Sequence, residues 1–438
     1  MLEFACVLLA LSALAPVAGY VILPGRDAFN PLVFIGVAVF GVSGLGLLTN
    51  PGPALYYLPE WALTYYTLIT TMSLLSLYAG WHWYGQRHRL PLIPAAHSTG
   101  GYRPSYNVGR MVVAGLGYAC ISLVVYVTTY HRYNVTGYVR DLTFLAEPAA
   151  ILLLQAVMLD GAVLIPAMIG IATATSQFVI HFFNYGGRGN FFAFCTLGMV
   201  PYLVRGRRPA KLPLLLAGAA VAITLGVLAN TRTILGKHEA TGRLPAVWLA
   251  AKQLINGHQK RYGPGKEFIV GAAEVYVVMT RQNWDYGGVI WNEMVLFLPR
   301  AYFPDKGSLY TSWGENKNAG YLQQIRHVAG VPVQLGVAPT GFANMFVEFS
   351  WLFPIPWLFI GYGLNFIYSL AVRRGSLDHQ GYLVLAMLWC LYLAAQDINA
   401  AFEQFLFTLL PMYVAYRFCR DTSLDARPSP RPAPQLRA

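Results

Sequence analysis

Residues 111–130 read MVVAGLGYACISLVVYVTTY, twenty positions without one charged side chain. At 1.5 Å per residue an α-helix of that length is about 30 Å long, the thickness of the hydrocarbon core of a bilayer. The stretch reads as a membrane span, and the rest of the chain agrees with it. Hydrophobic residues make up 56% of the 438 positions and charged ones 11%, against about 25% charged in a soluble domain. The mean hydropathy is +0.46. The length alone would allow two or three soluble domains, but a chain so poor in charge cannot wet its own surface. The expected fold is all-α, a polytopic integral membrane protein.

Apolar run length places eleven spans, at approximately 2–23, 31–48, 61–81, 111–130, 142–159, 161–181, 190–204, 212–230, 345–371, 381–396 and 402–418. The first has no basic leader and is followed at once by a second span, so it is read as a helix and not as a cleaved signal. Four regions follow: eight spans in 1–230, a large loop at 231–344, three spans in 345–418, and a Pro- and Arg-rich tail at 419–438 with the composition of a disordered extension. The five cysteines, Cys6, Cys120, Cys195, Cys390 and Cys419, fall within or at the end of apolar runs and lack metal-ligand spacing. Neither a disulfide framework nor a metal site is expected.

The chain has 31 Lys+Arg and 19 Asp+Glu, a net charge of +12. In a soluble protein that excess would suggest nucleic acid; here the positions of the charges report topology, and no nucleic-acid partner is expected. Arg87, Arg89, Arg103 and Arg110 lie in 82–110 and Arg205, Arg207, Arg208 and Lys211 in 205–211, both stretches free of acids, while Arg373, Arg374, Arg417 and Arg420 follow later spans. With eleven spans all of these fall on one side, which the positive-inside rule makes the cytoplasm. The loop at 231–344, with twelve Lys+Arg and seven Asp+Glu, then lies outside. Within it LPAVWLAAKQLI (244–255), FIVGAAEVYVVMT (268–280) and 289–298 predict short helices that lie on or dip into the outer leaflet.

Charge inside or at the edge of a membrane is costly, so each such residue is a functional candidate with a structural alternative. Arg188, in Gly186-Gly187-Arg188-Gly189, has the forked donors that match phosphate oxygens; the alternative is an interfacial anchor. Arg300 and Lys306 bracket a Pro- and aromatic-containing turn with Asp305, which is either an anion site or a solvated turn paired within itself. Glu348, expected just inside the outer end of the ninth span at the opening of a helix, either pairs with an external arginine or transfers a proton.

Taken in order, Gly187-Arg188-Gly189, Asp285-Tyr286-Gly287-Gly288, Leu298-Pro299-Arg300 through Pro304-Asp305-Lys306, Pro339-Thr340-Gly341 and Phe346-Val347-Glu348 resemble the bacterial Wzy-type polymerases of O-antigen and exopolysaccharide repeat units. The resemblance covers roughly 180–370. It implies a GT-C-like membrane glycosyltransferase that uses undecaprenyl-pyrophosphate-linked glycans as donor and acceptor at the periplasmic face of the inner membrane. A polysaccharide chain-length regulator and a flippase are implied as partners, and no cofactor. Arg188 and Arg300 would stabilise the pyrophosphate leaving group, and Glu348, with His327 second, would accept the acceptor's proton. Lys306, Arg232, Arg281, Arg326, Asp285, Tyr302 and Trp313 would bind substrate, with Trp284, Tyr286 and Tyr310 as further sugar walls; interfacial aromatics also serve as belt anchors. The loop holds no DxD-like acidic pair, so metal independence is expected. An O-antigen ligase and a transporter are the alternatives.

Overall fold

The computed structural model describes residues 1–22, 29–49, 51–88, 106–129, 142–185, 188–206, 266–282, 340–395 and 398–420, with isolated positions between them. Among the described residues there is no strand, only an isolated bridge between Tyr106 and Arg420. The helices are α1 (Leu2–Ile22), α2 (Pro31–Val39), α3 (Leu45–Thr49), α4 (Gly52–Leu55), α5 (Glu60–Arg87), α6 (Val108–Thr129), α7 (Ala146–Leu159), α8 (Leu164–Tyr185), α9 (Arg188–Leu197), α10 (Val200–Val204), α11 (Lys266–Arg281), α12 (Gly341–Phe349), α13 (Pro354–Arg374), α14 (Leu377–Ala395) and α15 (Ile398–Cys419). A π-helical turn, Phe40–Gly44, joins α2 to α3. Among the described residues, six stretches are long and apolar enough to cross a membrane: Leu2–Ile22, Pro31–Leu48, Val108–Thr129, Leu142–Leu159, Gly161–Ile180 and Pro354–Val372. The protein is thus a polytopic, all-helical membrane protein. Alongside these six run α5, α14 and α15, of 28, 19 and 22 residues.

Side-chain contacts fix the direction of each helix. The Leu2 N–H donates to Glu60 Oε1 (3.4 Å) and the Tyr78 hydroxyl to the Ser12 carbonyl (2.9 Å), so α1 and α5 are parallel. The ring of Tyr65 meets Trp351, and Asn365 Nδ2 donates to the Trp81 carbonyl (2.7 Å), so α5 and α13 are parallel too. Ser122 donates to the Thr143 carbonyl (2.8 Å) while Gly115 lies against Leu153, which makes α6 and α7 antiparallel. Gln177 Nε2 donates to Ser122 Oγ (2.8 Å), keeping α8 parallel to α6. Arg110 Nη1 donates to the Phe418 carbonyl (3.4 Å) and Tyr118 to the Pro411 carbonyl (2.9 Å), so α15 runs against α6. The bundle therefore has two ends. One holds residue 60, the start of α7, α12 and the start of α15; the other holds 106–110, the end of α7, the α13–α14 turn and 416–420.

Two expectations are corrected. The ninth span is not one helix: the chain breaks between α12 and α13 through a 3-10 turn at Ser350–Leu352, with Ser350 at φ 50°. Pro354 and Pro356 cause this, since a proline lacks the N–H and its ring clashes with the carbonyl four residues back. The seventh span is likewise split at Gly198-Met199 into α9 and α10. The 268–280 helix forms as α11. It packs on α5 and α12, with Ala272, Ala273, Val275 and Val278 fully buried, while Thr280 and Arg281 at its end are exposed. The expected helices at 244–255 and 289–298, the span at 212–230 and the tail beyond 420 lie outside the described residues, apart from isolated positions in the first.

Candidate functional site

Helix α12 starts where Thr340, in extended conformation after Pro339, caps it by accepting the Ala343 N–H (3.5 Å). That cap is held sideways. The Thr340 hydroxyl is hydrogen-bonded to Tyr66 of α5 (3.3 Å), and the Tyr66 hydroxyl to Ser43 (2.8 Å) in the π turn. An extra residue in such a turn commonly re-aims a side chain near a functional site. Gly271 of α11 lies under the same ring, where a Cβ would press on Tyr66 and Thr340.

One turn into α12, Asn344 ties three helices together. Its Nδ2 donates to Glu274 Oε1 of α11 at 2.6 Å, and its Oδ1 accepts the N–H of Ile398, the first residue of α15, at 3.1 Å. The second bond satisfies one of the helix-terminal N–H groups that have no partner within their own helix. Glu274 is 1% exposed. Glu348 follows Asn344 by four residues, so the two side chains share a face about 5–6 Å apart at Cβ; Glu348 is 2% exposed. Contrary to the expected helix opening, Glu348 sits in the last turn of α12 because the proline break comes directly after it. The negative end of the helix dipole faces that position, so the backbone opposes a charge there instead of supporting it.

Of the other expected site residues, Trp284 packs edge-on against Phe346 of α12 (ring centroids 4.8 Å apart). Arg281 is exposed in the last turn of α11, three residues before Trp284, and Tyr286 is exposed at φ 49°. Of these, the structure sets Trp284 against α12 through Phe346. Arg188 is the first residue of α9; its side chain is outside the described part. Arg232, Asp285, Arg300, Tyr302, Lys306, Tyr310, Trp313, Arg326 and His327 lie outside the described residues.

Sequence reasoning overlooked Glu274 and Asn344. The signal was present: Glu274 is the one carboxylate inside FIVGAAEVYVVMT, and a lone acid in such a run demands a buried partner. Chemically α11 and α12 offer two enclosed carboxylates, Glu274 and Glu348, with the Asn344 amide bonded to the first. Such a set can accept a proton from a hydroxyl or compensate cationic side chains. No family model, no curated protein and no solved structure matches the chain.

Proposed function

We propose that the chain is a membrane glycosyltransferase that polymerises undecaprenyl-pyrophosphate-linked repeat units into O-antigen or exopolysaccharide, at the periplasmic face of a bacterial inner membrane and through eleven spans. The observation that carries the reading is the order of Gly187-Arg188-Gly189, Pro299-Arg300 through Lys306 and Phe346-Val347-Glu348 along the chain. The burial of Glu348 in the last turn of α12 supports it. In this reading the acceptor hydroxyl attacks the anomeric carbon of the growing glycan, the bond to the pyrophosphate oxygen breaks, and the proton passes to Glu348. Arg188, Arg300 and Lys306 stabilise the charge gathering on the leaving group. Glu274 is a positioning residue: through Asn344 it sets the face of α12 that carries Glu348.

The test is the glycan of a strain lacking the protein. A polymerase leaves single capped units; a ligase leaves no capping. Complementation with Glu348→Gln should restore inserted protein but reduce polymer by the 10²- to 10⁴-fold, roughly, that general-base catalysis contributes. Near-normal polymer would exclude Glu348 as base and move the role to His327. Arg300→Lys should fail nearly as badly as Arg300→Ala, because an ammonium lacks the two-pronged geometry. One observation favours a second reading, transport: the broken α12–α13 helix resembles the discontinuous helices of transporter sites. A transporter-deficient strain would lack capped units and hold lipid-linked units on the inner face.

A further inference from the structure

Glu147 takes no part in the chemistry above, yet it is 2% exposed within a membrane-spanning stretch. Its Oε1 accepts from Gln404 Nε2 of α15 at 2.8 Å. Two oxygens of this pair, Glu147 Oε2 and Gln404 Oε1, are buried without a hydrogen bond among the described residues. Among the described residues the titratable group beside them is Tyr392 of α14, whose hydroxyl also meets the Gln404 amide. The other elements against α7 are α6, α8, α9, α10 and the turns flanking it. The charged side chains described on α6, α14 and α15 are remote: Arg110, Asp378, His379 and Arg417 stand at the other end of the bundle, by Phe418, Leu377 and Tyr413. Glu147 does lie in the first turn of α7, where free N–H groups favour an anion. The 3-10 turn Leu142–Leu145 runs directly into α7, however, and none of those N–H groups reaches the carboxyl.

A carboxylate in such a place, with a single neutral donor among the described residues, carries a desolvation cost that one hydrogen bond does not offset. We propose that Glu147 is a proton-binding site, holding a proton taken from water as an O–H bond on Oε2. That O–H donates to Gln404 Oε1 while Gln404 Nε2–H donates to Glu147 Oε1. The result is a closed acid–amide ring joining α7 to α15, and it gives both orphaned oxygens a partner. No oxidation or bond cleavage is involved; the ligand is the proton.

Infrared difference spectroscopy on the purified full-length protein in lipid nanodiscs at neutral pH tests this. The wild type should show a carboxylic-acid C=O band, shifted by D₂O, that Glu147→Gln lacks. Gln404→Leu should move that band to higher frequency, because the amide N–H that weakens the C=O bond is gone. If Glu147→Gln cannot be recovered folded, Gln404→Leu decides alone: a moved band supports the proton site, and an unchanged carboxylic region overturns it. Superimposable spectra of the wild type and Glu147→Gln would mean that Glu147 is ionised.

Discussion

The pairing of α5 with α13 and the fastening of α15 to its neighbours solve one problem in two ways. Between helices in lipid there is no hydrophobic drive, so association rests on close packing or on polar bonds. Helices α5 and α13 use the first. Gly80 faces the Leu358 carbonyl and Gly361 the Leu77 carbonyl so closely that a Cβ on either would overlap backbone. Helix α15 uses the second. Ile398, Gln404 and Tyr416 are each bonded to another helix: to Asn344, to Glu147, and to Gln155 (2.8 Å) with the Leu377 carbonyl at 3.1 Å. The glycine seam tolerates no added atom, whereas the bonded seams can lose one joint and keep the rest.

The largest effect should come from Gly361→Leu. Its side chain meets backbone that cannot retreat, so the loss should exceed the roughly 1–3 kcal/mol of ordinary overpacking, and folded protein should vanish from size-exclusion profiles. Gly363→Leu, two positions on in open space, is the control and should behave as wild type. Equal recovery of both variants would refute the seam. Next is Gly381→Ala, whose methyl would strike the Tyr416 hydroxyl and the Met412 tip; a thermal melt in detergent should report about 1–3 kcal/mol. Tyr416→Phe should cost less, about 0.6–1.7 kcal/mol, the range for hydrogen bonds between membrane helices. The smallest and sharpest effect is their coupling. With the hydroxyl gone, Gly381→Ala should cost less than in the wild type by at least about 0.5 kcal/mol; strict additivity would place Tyr416 elsewhere.

Much of the frame is legible in the sequence, because run length alone marks a helix that must satisfy its backbone internally. The runs at 2–23, 31–48, 111–130, 142–159 and 161–181 appear as helices within a few residues of those bounds. The break at Ser350 was not legible from apolarity, which continues unbroken across Trp351, Leu352 and Phe353. It was legible from Pro354 and Pro356, whose effect on a backbone does not depend on hydropathy. The site was legible by half. Glu348 announces itself as an acid in a span, but the Asn344–Glu274 bond one turn before it spans 70 residues of chain. No local pattern encodes so distant a pairing.

The break at Ser350–Leu352 also bears on how this chain can change over generations. In a continuous helix an inserted residue turns everything beyond it by about 100°, since a turn takes 3.6 residues. Here α12 is located by its lateral ties to Tyr66, Glu274 and Ile398, and α13 by its seam with α5. Neither takes its rotation from the other. A residue gained or lost at 350–353 is absorbed in the joint, so lineages can drift in length at that point while Glu348 and the glycine seam each keep their register.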